Sequence, residues 1–222
     1  YNLITGHNAS AFGYDNKALA NETTVVGHQS NASGLNASAF GSKATASGES
    51  ALALGTGANA TADSTVAIGN DSNATGKSSV AVGESTNATG VFATALGDSS
   101  TATGNRTVAV SVDAKAKADE SIAIGSASTS EGIRSIAIGA NATATNESAT
   151  VVGTHSSAEI RGTVIGAESQ AYNHGFAGGY QAKATGESST AIGVRANSTG
   201  LSTVSIGSDS VANKIASTAI GQ

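Results

Sequence analysis

Ser64-Thr65-Val66-Ala67-Ile68-Gly69, followed by Asn70-Asp71-Ser72-Asn73-Ala74-Thr75-Gly76, decides how the rest of the chain is read. Val66 and Ile68 share one face of an alternating segment and Thr65 and Ala67 the other, the period of two that β-strands show when their faces meet different surroundings. A second alternation follows Gly69. Ser72, Ala74 and Gly76 are small, whereas Asn73 and Thr75 between them are polar. The pattern then restarts, with Val80-Ala81-Val82-Gly83 repeating Val66-Ala67-Ile68-Gly69 fourteen positions later.

Working outward, the same glycine closes a short apolar segment at Gly13, Gly27, Gly41, Gly55, Gly69, Gly83 and Gly97, and again at Gly125, Gly139 and Gly153. Ser111 occupies the position between Gly97 and Gly125. The series continues at intervals of 13 through Gly166 and Gly179 and returns to 14 at Gly193, Gly207 and Gly221, giving sixteen landmarks in 222 residues. A period of this length covering a whole chain marks a repeat architecture in which each unit stacks on the next. Each unit reads as two short strands of about five residues and two turns, coiled into a flattened ring with a thin interior. The small-residue columns fill that interior, and the glycines permit restricted backbone at the turns. The expected fold is all-β: a parallel β-solenoid of about fifteen 14-residue coils. It forms a single repeat domain over residues 1–222, with irregular 13-residue coils at about 154–179.

This arrangement leaves the large aliphatic and aromatic residues pointing out of each coil as an apolar stripe: Phe12, Phe40, Leu54, Ile68, Val82, Leu96, Val110, Ile124, Ile138, Val152, Ile165, Phe176, Ile192, Ile206 and Ile220. A stripe of that extent exceeds what soluble monomers expose, and self-association about a rotation axis buries it against copies of itself. Volume trades within the stripe fit a shared seam, since Ser10 accompanies Phe12, Ser38 accompanies Phe40 and Phe176 accompanies Gly178.

Composition excludes several function classes. The chain has 28 Gly, no Pro, Cys, Met or Trp, and eight aromatic residues, so a conventional core would lack volume. Its net charge of −5 has no basic stripe for a phosphate backbone, and nucleic acid is not an expected partner. His7, His28, His155 and His174 lack metal-ligand spacing, thiolate sites are impossible, and no cofactor is expected. Carboxylates are scattered, no Ser, His and Asp fall in register, and the glycines do not form phosphate loops, so no catalytic residue is assigned. No signal peptide or membrane-length hydrophobic run is present, and no membrane contact by this segment is expected.

The units written Ser64-Thr65-Val66-Ala67-Ile68-Gly69 and Asn73-Ala74-Thr75-Gly76 resemble the head repeats of trimeric autotransporter adhesins of the YadA-like type, over essentially the entire chain. The resemblance implies a left-handed parallel β-roll assembled as a homotrimer and displayed beyond the outer membrane of a Gram-negative bacterium. It also implies attachment to host extracellular matrix such as collagen, fibronectin or laminin, or to a cell-surface receptor. In the family a stalk and a membrane anchor follow the head, and this sequence includes neither. Ser111 and the two 13-residue units depart from the pattern.

The irregular region, about 154–182, gathers Glu159, Arg161, Tyr172, His174, Phe176 and Tyr180. Glu159, Arg161, Tyr172, His174 and Tyr180 are the candidate ligand-binding residues, because Tyr and Arg on a rigid surface are favoured binding anchors. Alternatively the region is a register adjustment near the second turn, with odd side chains repairing local packing. Twelve Asn-x-Ser/Thr sequons, beginning with Asn8 and ending with Asn197, read either as glycan acceptors or as Asn and Thr outward with Ala inward on the second strand. Two further functions compete with adhesion. One is a passive spacer or shield segment of a longer fibre. The other is an ice-binding surface built on Thr61, Thr75, Thr89, Thr103, Thr145, Thr185 and Thr199, a column that Lys117, Glu131 and Glu159 interrupt.

Overall fold

Parallel ladders build the chain, in a 14-residue register that shortens to 13 at the two short coils: Val66 pairs with Val80 and Leu52, Asn73 with Asn87 and Asn59, but Thr150 with Thr163 and Thr163 with Phe176. The computed structural model describes residues 1–221, in two compact units that meet in sequence at Asp113 and Ala114. Each unit contains eight coils, so the chain has sixteen strand pairs where the glycine intervals alone suggest about fifteen. Within a unit, one sheet carries segments such as Val66–Ile68 and the other carries segments such as Asn73–Ala74. We call them the apolar-faced and polar-faced sheets.

The side-chain orientation follows the alternation. Thr65, Ala67, Ser72 and Ala74 are completely buried, while Val66, Ile68 and Asn73 on the outer faces are half-buried. The interior is thin, as its contents require. The largest fully buried side chains are valines, threonines and Asn16, and no Leu, Ile or Phe is among them. Alanines stack upon alanines instead, Ala53, Ala67, Ala81 and Ala95 on one wall and Ala60, Ala74 and Ala88 on the other. Interior hydroxyls complete the turns: Thr65 Oγ1 donates to the Ala62 carbonyl at 2.6 Å, and Thr86 Oγ1 donates to the Gly97 carbonyl of the next coil at 2.9 Å. A buried hydroxyl is tolerated on such terms because its hydrogen bond offsets the cost of leaving water.

Strands are shorter than the five residues the alternation predicts. Only Ser10–Tyr14, Thr24–His28 and Ser38–Ser42 reach five; the other described strands span two or three. The reason lies in the backbone. The landmark glycine has positive φ, +128° at Gly69, and two left-handed residues flank it, Ser64 at φ 57° and Asp71 at φ 52°. The left-handed turns therefore fall on the residues five before and two after the landmarks, of which only Gly57 is a glycine, rather than on the landmark itself. The glycine answers a different demand. A Cβ at Gly69 would stand 2.2 Å from the Gly83 carbonyl oxygen of the next coil, and only a residue without one lets the coils approach.

The polar-faced sheet adds a side-chain ladder. Asn59 Nδ2 donates to Asn73 Oδ1 and Asn73 Nδ2 to Asn87 Oδ1, each at 3.0 Å. These three asparagines begin sequons, and here their amides are committed to one another.

The 13-residue coils differ at one place. A regular coil closes its second turn with Ser79 N–H donating to the Gly76 carbonyl, whereas the short coils close it with Gly162 N–H to Glu159 and Gly175 N–H to Tyr172. The residue equivalent to Gly76 is dropped. The chain is pulled inward as a result: a Cβ at Gly162 would lie 2.8 Å from the Ala171 carbonyl oxygen, and one at Gly175 would lie 2.6 Å from that of Tyr172. Glycine accordingly replaces the buried Ser, Thr or Ala of the regular coils.

Ser111 stands in the glycine column with φ +107°, a backbone that L-residues adopt at a cost. Ser111→Gly is expected to stabilise the protein by about 1 kcal/mol, strain relief exceeding the added chain entropy. Gly69→Ala is expected to destabilise it by more than about 1 kcal/mol. Urea unfolding followed by circular dichroism measures both.

Candidate functional site

The outer face of the apolar-faced sheet carries its largest side chains in ladder order. Within the first unit Phe12, Val26, Phe40, Leu54, Ile68, Val82, Leu96 and Val110 succeed one another, and none is buried. Within the second unit the column runs Ile124, Ile138, Val152, Ile165, Gly178, Ile192, Ile206 and Ile220. Val26 belongs to this face although it is absent from the stripe read in the sequence. Phe176 lies on the same face but two residues before Gly178, so its ring occupies the adjacent column and covers the gap: a Cβ at Gly178 would be 3.1 Å from Phe176 Cε1. The face is half-covered by its own neighbours only. Ile165 is 53 % exposed and Leu54 43 %.

The side chains singled out in the irregular region do not form one cluster. Arg161 and His174 stack on the second turn, both with left-handed backbone, and Arg161 Nη1 lies 3.5 Å from His174 Nε2. Glu159 and Tyr172 begin the same turns at the end of the polar-faced strands, where both are half-buried and supply the carbonyls that close them. Tyr180 sits at the other edge of the coil, one residue after Gly179, and its hydroxyl is 3.4 Å from both Glu168 carboxylate oxygens. The irregular region thus presents two separate edges.

Glu168, the residue that the Tyr180 hydroxyl meets, lines a groove of about 510 Å³ together with His155, Gln170, Gln181, Lys183, Arg195 and Asn197. Two columns build it. His155, Glu168, Gln181 and Arg195 are the left-handed residues two after successive landmark glycines, and Gln170, Lys183 and Asn197 pair in register on the polar-faced sheet. Turn geometry fixes the backbone of the first column and the ladder fixes that of the second. Gln181 Nε2 donates to Glu168 at 2.7 Å. Arg195 donates to both carboxylate oxygens of Asp209, from Nε at 2.6 Å and Nη2 at 2.7 Å. The hydrogen bond from Arg195, more than its charge, holds the Asp209 carboxyl below its ordinary value of 3.8, and the same bond raises the guanidinium. Apart from His155, read only as lacking metal-ligand spacing, and Asn197, read as a sequon asparagine, the groove residues were not singled out in the sequence. Aligning positions two and four after each glycine would have placed them side by side, but nothing in a single unit marks them.

The YadA head domain repeat matches the chain in twelve segments, most of them overlapping, the first at residues 5–30 and the last at 198–222. Together they leave out only residues 1–4, 111, 157–176 and 197. The unmatched stretch 157–176 holds the second turns of both short coils, and residue 111 is the serine in the glycine column. A comparison with curated protein sequences returns no match. Among solved structures, the chain is similar to the crystal structure of the collagen-binding domain of the Yersinia adhesin YadA, with 31 % identity and a TM-score of 0.52. That match covers 54 % of this chain and 68 % of the other.

The Arg195 to Asp209 pairing is present above the ordinary carboxylate pKa and is lost as pH falls through the lowered one. In an NMR titration the Asp209 carboxyl is expected to change state below 3.8, and Arg195→Ala is expected to move that transition upward. Both groups are solvent-exposed, so salt should narrow the difference.

Proposed function

Because the chain belongs to the family of YadA head domain repeats, a non-enzymatic adhesin family, we propose that it is a surface adhesin head that attaches as a homotrimer to host extracellular matrix or to a cell-surface receptor. Heads of this family are typically exposed on the surface of Gram-negative bacteria. The similar Yersinia domain binds collagen, which makes collagen the first ligand to test, with fibronectin and laminin beside it. The left-handed coil and the display beyond the outer membrane belong to the same proposal, on the strength of the family.

The observation that carries the homotrimer is the unpartnered apolar face. A ladder of aliphatic side chains stands half-exposed while the interior is filled by alanine, serine and threonine. A repeated stripe of one chain matches the repeated stripe of another, so closed rotational symmetry satisfies every coil at once. Multivalent display then multiplies the strength of individually weak contacts, and a shallow site repeated three times suffices for attachment.

Light scattering on the purified head is expected to return the mass of three chains of 21.4 kDa each, and Ile68→Asp with Leu96→Asp is expected to reduce it to one. The wild-type head should bind immobilised collagen in a surface plasmon resonance assay, with the monomeric variant weaker by at least about tenfold through lost avidity. A folded wild-type monomer overturns the shared seam. A trimer that binds none of the three matrix proteins and no host cell favours a passive spacer instead.

A further inference from the structure

We propose that the polar-faced sheet of the first unit binds the surface of ice. This goes beyond attachment to host matrix and does not rest on it, because it concerns the sheet that does not carry the apolar stripe. Two columns of side chains stand on its outer face in register. One runs Asn31, Thr45, Asn59, Asn73, Asn87 and Thr101. The other, two residues further along each coil, runs Ser33, Ser47, Thr61, Thr75, Thr89 and Thr103. Backbone bonds carry the ladder through the second column as well, since Ser47 N–H donates to the Ala60 carbonyl at 2.9 Å and Thr75 N–H to that of Ala88 at 3.0 Å. Every one of these side chains ends in a hydroxyl or a carboxamide; none is buried and none is charged. The charges that interrupt the threonine column, Lys117, Glu131 and Glu159, all lie in the second unit.

Spacing selects the partner. Coils repeat at about 4.8 Å along the stack, and side chains two residues apart on a strand stand about 6.7 Å apart, so the hydroxyls and amides form a rectangular net. The prism faces of hexagonal ice present rows of oxygen atoms that repeat at nearly these two distances, and each oxygen donates or accepts. The net is a strip about 24 Å long. Its amides are held in place by one another: Asn73 spends one N–H and one lone pair on Asn87 and Asn59 and keeps one of each for water. A side-chain ladder of this kind also holds a many-stranded sheet flat. Donors and acceptors ordered in advance lower the entropic cost of adsorption, and contacts that are weak singly act together. Other partners find less on this face. A peptide cannot join as an added strand, because the strands bearing Asn31 and Asn87 are each paired on both sides. A charged polymer meets no counter-charge in either column, and a protein anchor meets no aromatic or aliphatic residue there.

The test is the uptake of the fluorescently labelled, intact head into a slowly growing ice hemisphere, with labelled serum albumin as the protein that ice excludes. The head is expected to be enriched in the ice while albumin stays in the liquid. Thr75→Lys sets a charge and a long side chain in the middle of the net and is expected to abolish most of the uptake. The chain's own coils carry lysine in both columns, at Lys115 and Lys117, so the variant should fold, and circular dichroism verifies that it does. Thr143→Lys makes the same change on the polar-faced sheet of the second unit and should leave uptake as it is in the wild type. The proposal is overturned if the wild-type head is excluded from ice as albumin is, if Thr75→Lys is taken up as well as the wild type, or if Thr143→Lys lowers uptake as much as Thr75→Lys does. Collagen binding is measured separately, and either result there leaves this one standing.

Discussion

The close stacking of one coil on the next is the constraint from which the rest of the structure follows. At Gly69 the neighbouring carbonyl oxygen stands where a side chain would begin, and the same holds at Gly41 and Gly55. A parallel ladder fixes the spacing between coils, so the chain presents a residue without a Cβ at that point in every coil but the one that Ser111 closes, where the backbone is strained. Any residue inserted or lost elsewhere in the coil has to be absorbed without moving it. The short coils show how this is done. They give up the bend residue of the second turn, place glycine at the next interior position, and keep Gly166 and Gly179 in the column.

A thin interior is the second consequence. Two sheets brought together by so short a coil leave room for alanine, serine, threonine and an occasional valine, and nothing larger is fully buried. The large apolar side chains must then stand on an outer face, which reverses the usual division between core and surface. Stability comes from many small identical layers rather than one large core, as in other repeat architectures. The outer face becomes available for association between chains, and the polar-faced sheet and the two turns remain free to carry ligand chemistry.

Variation accordingly collects in the turns. The columns five before and two after the landmark glycine adopt left-handed backbone whatever residue they hold, Phe92 and His155 included. Their side chains are projected in a fixed direction and can change without disturbing the ladder. Such positions produced the Arg161 and His174 pair on one edge and the groove wall of Glu168, Gln181 and Arg195 on the other. The groove straddles the place where the family match is interrupted: Glu168 and Gln170 lie in the unmatched stretch, and His155, Gln181, Lys183 and Arg195 lie in the matched segments on either side.

Much of the fold was legible in the sequence because the physics repeats. Fifteen glycine landmarks and Ser111, with alternation before them and after all but the last, determined the coil, the parallel register, the small interior and the apolar outer face, and the coils offered repeated readings of the same pattern. Residues 64–76 alone contained it. Even the deletion at the second turn was legible, since the interval dropped to 13 while both strands kept their alternation. What the tertiary structure decided is which side chains meet across coils. Strand lengths depended on backbone angles at Ser64 and Asp71, which no alternation reports. The five residues singled out in the irregular region were neighbours in sequence, but a coil sends residues a few positions apart to opposite edges, so they divided. His155, Glu168, Gln181 and Arg195, thirteen or fourteen positions apart, came together because a ladder makes neighbours of residues separated by one full turn.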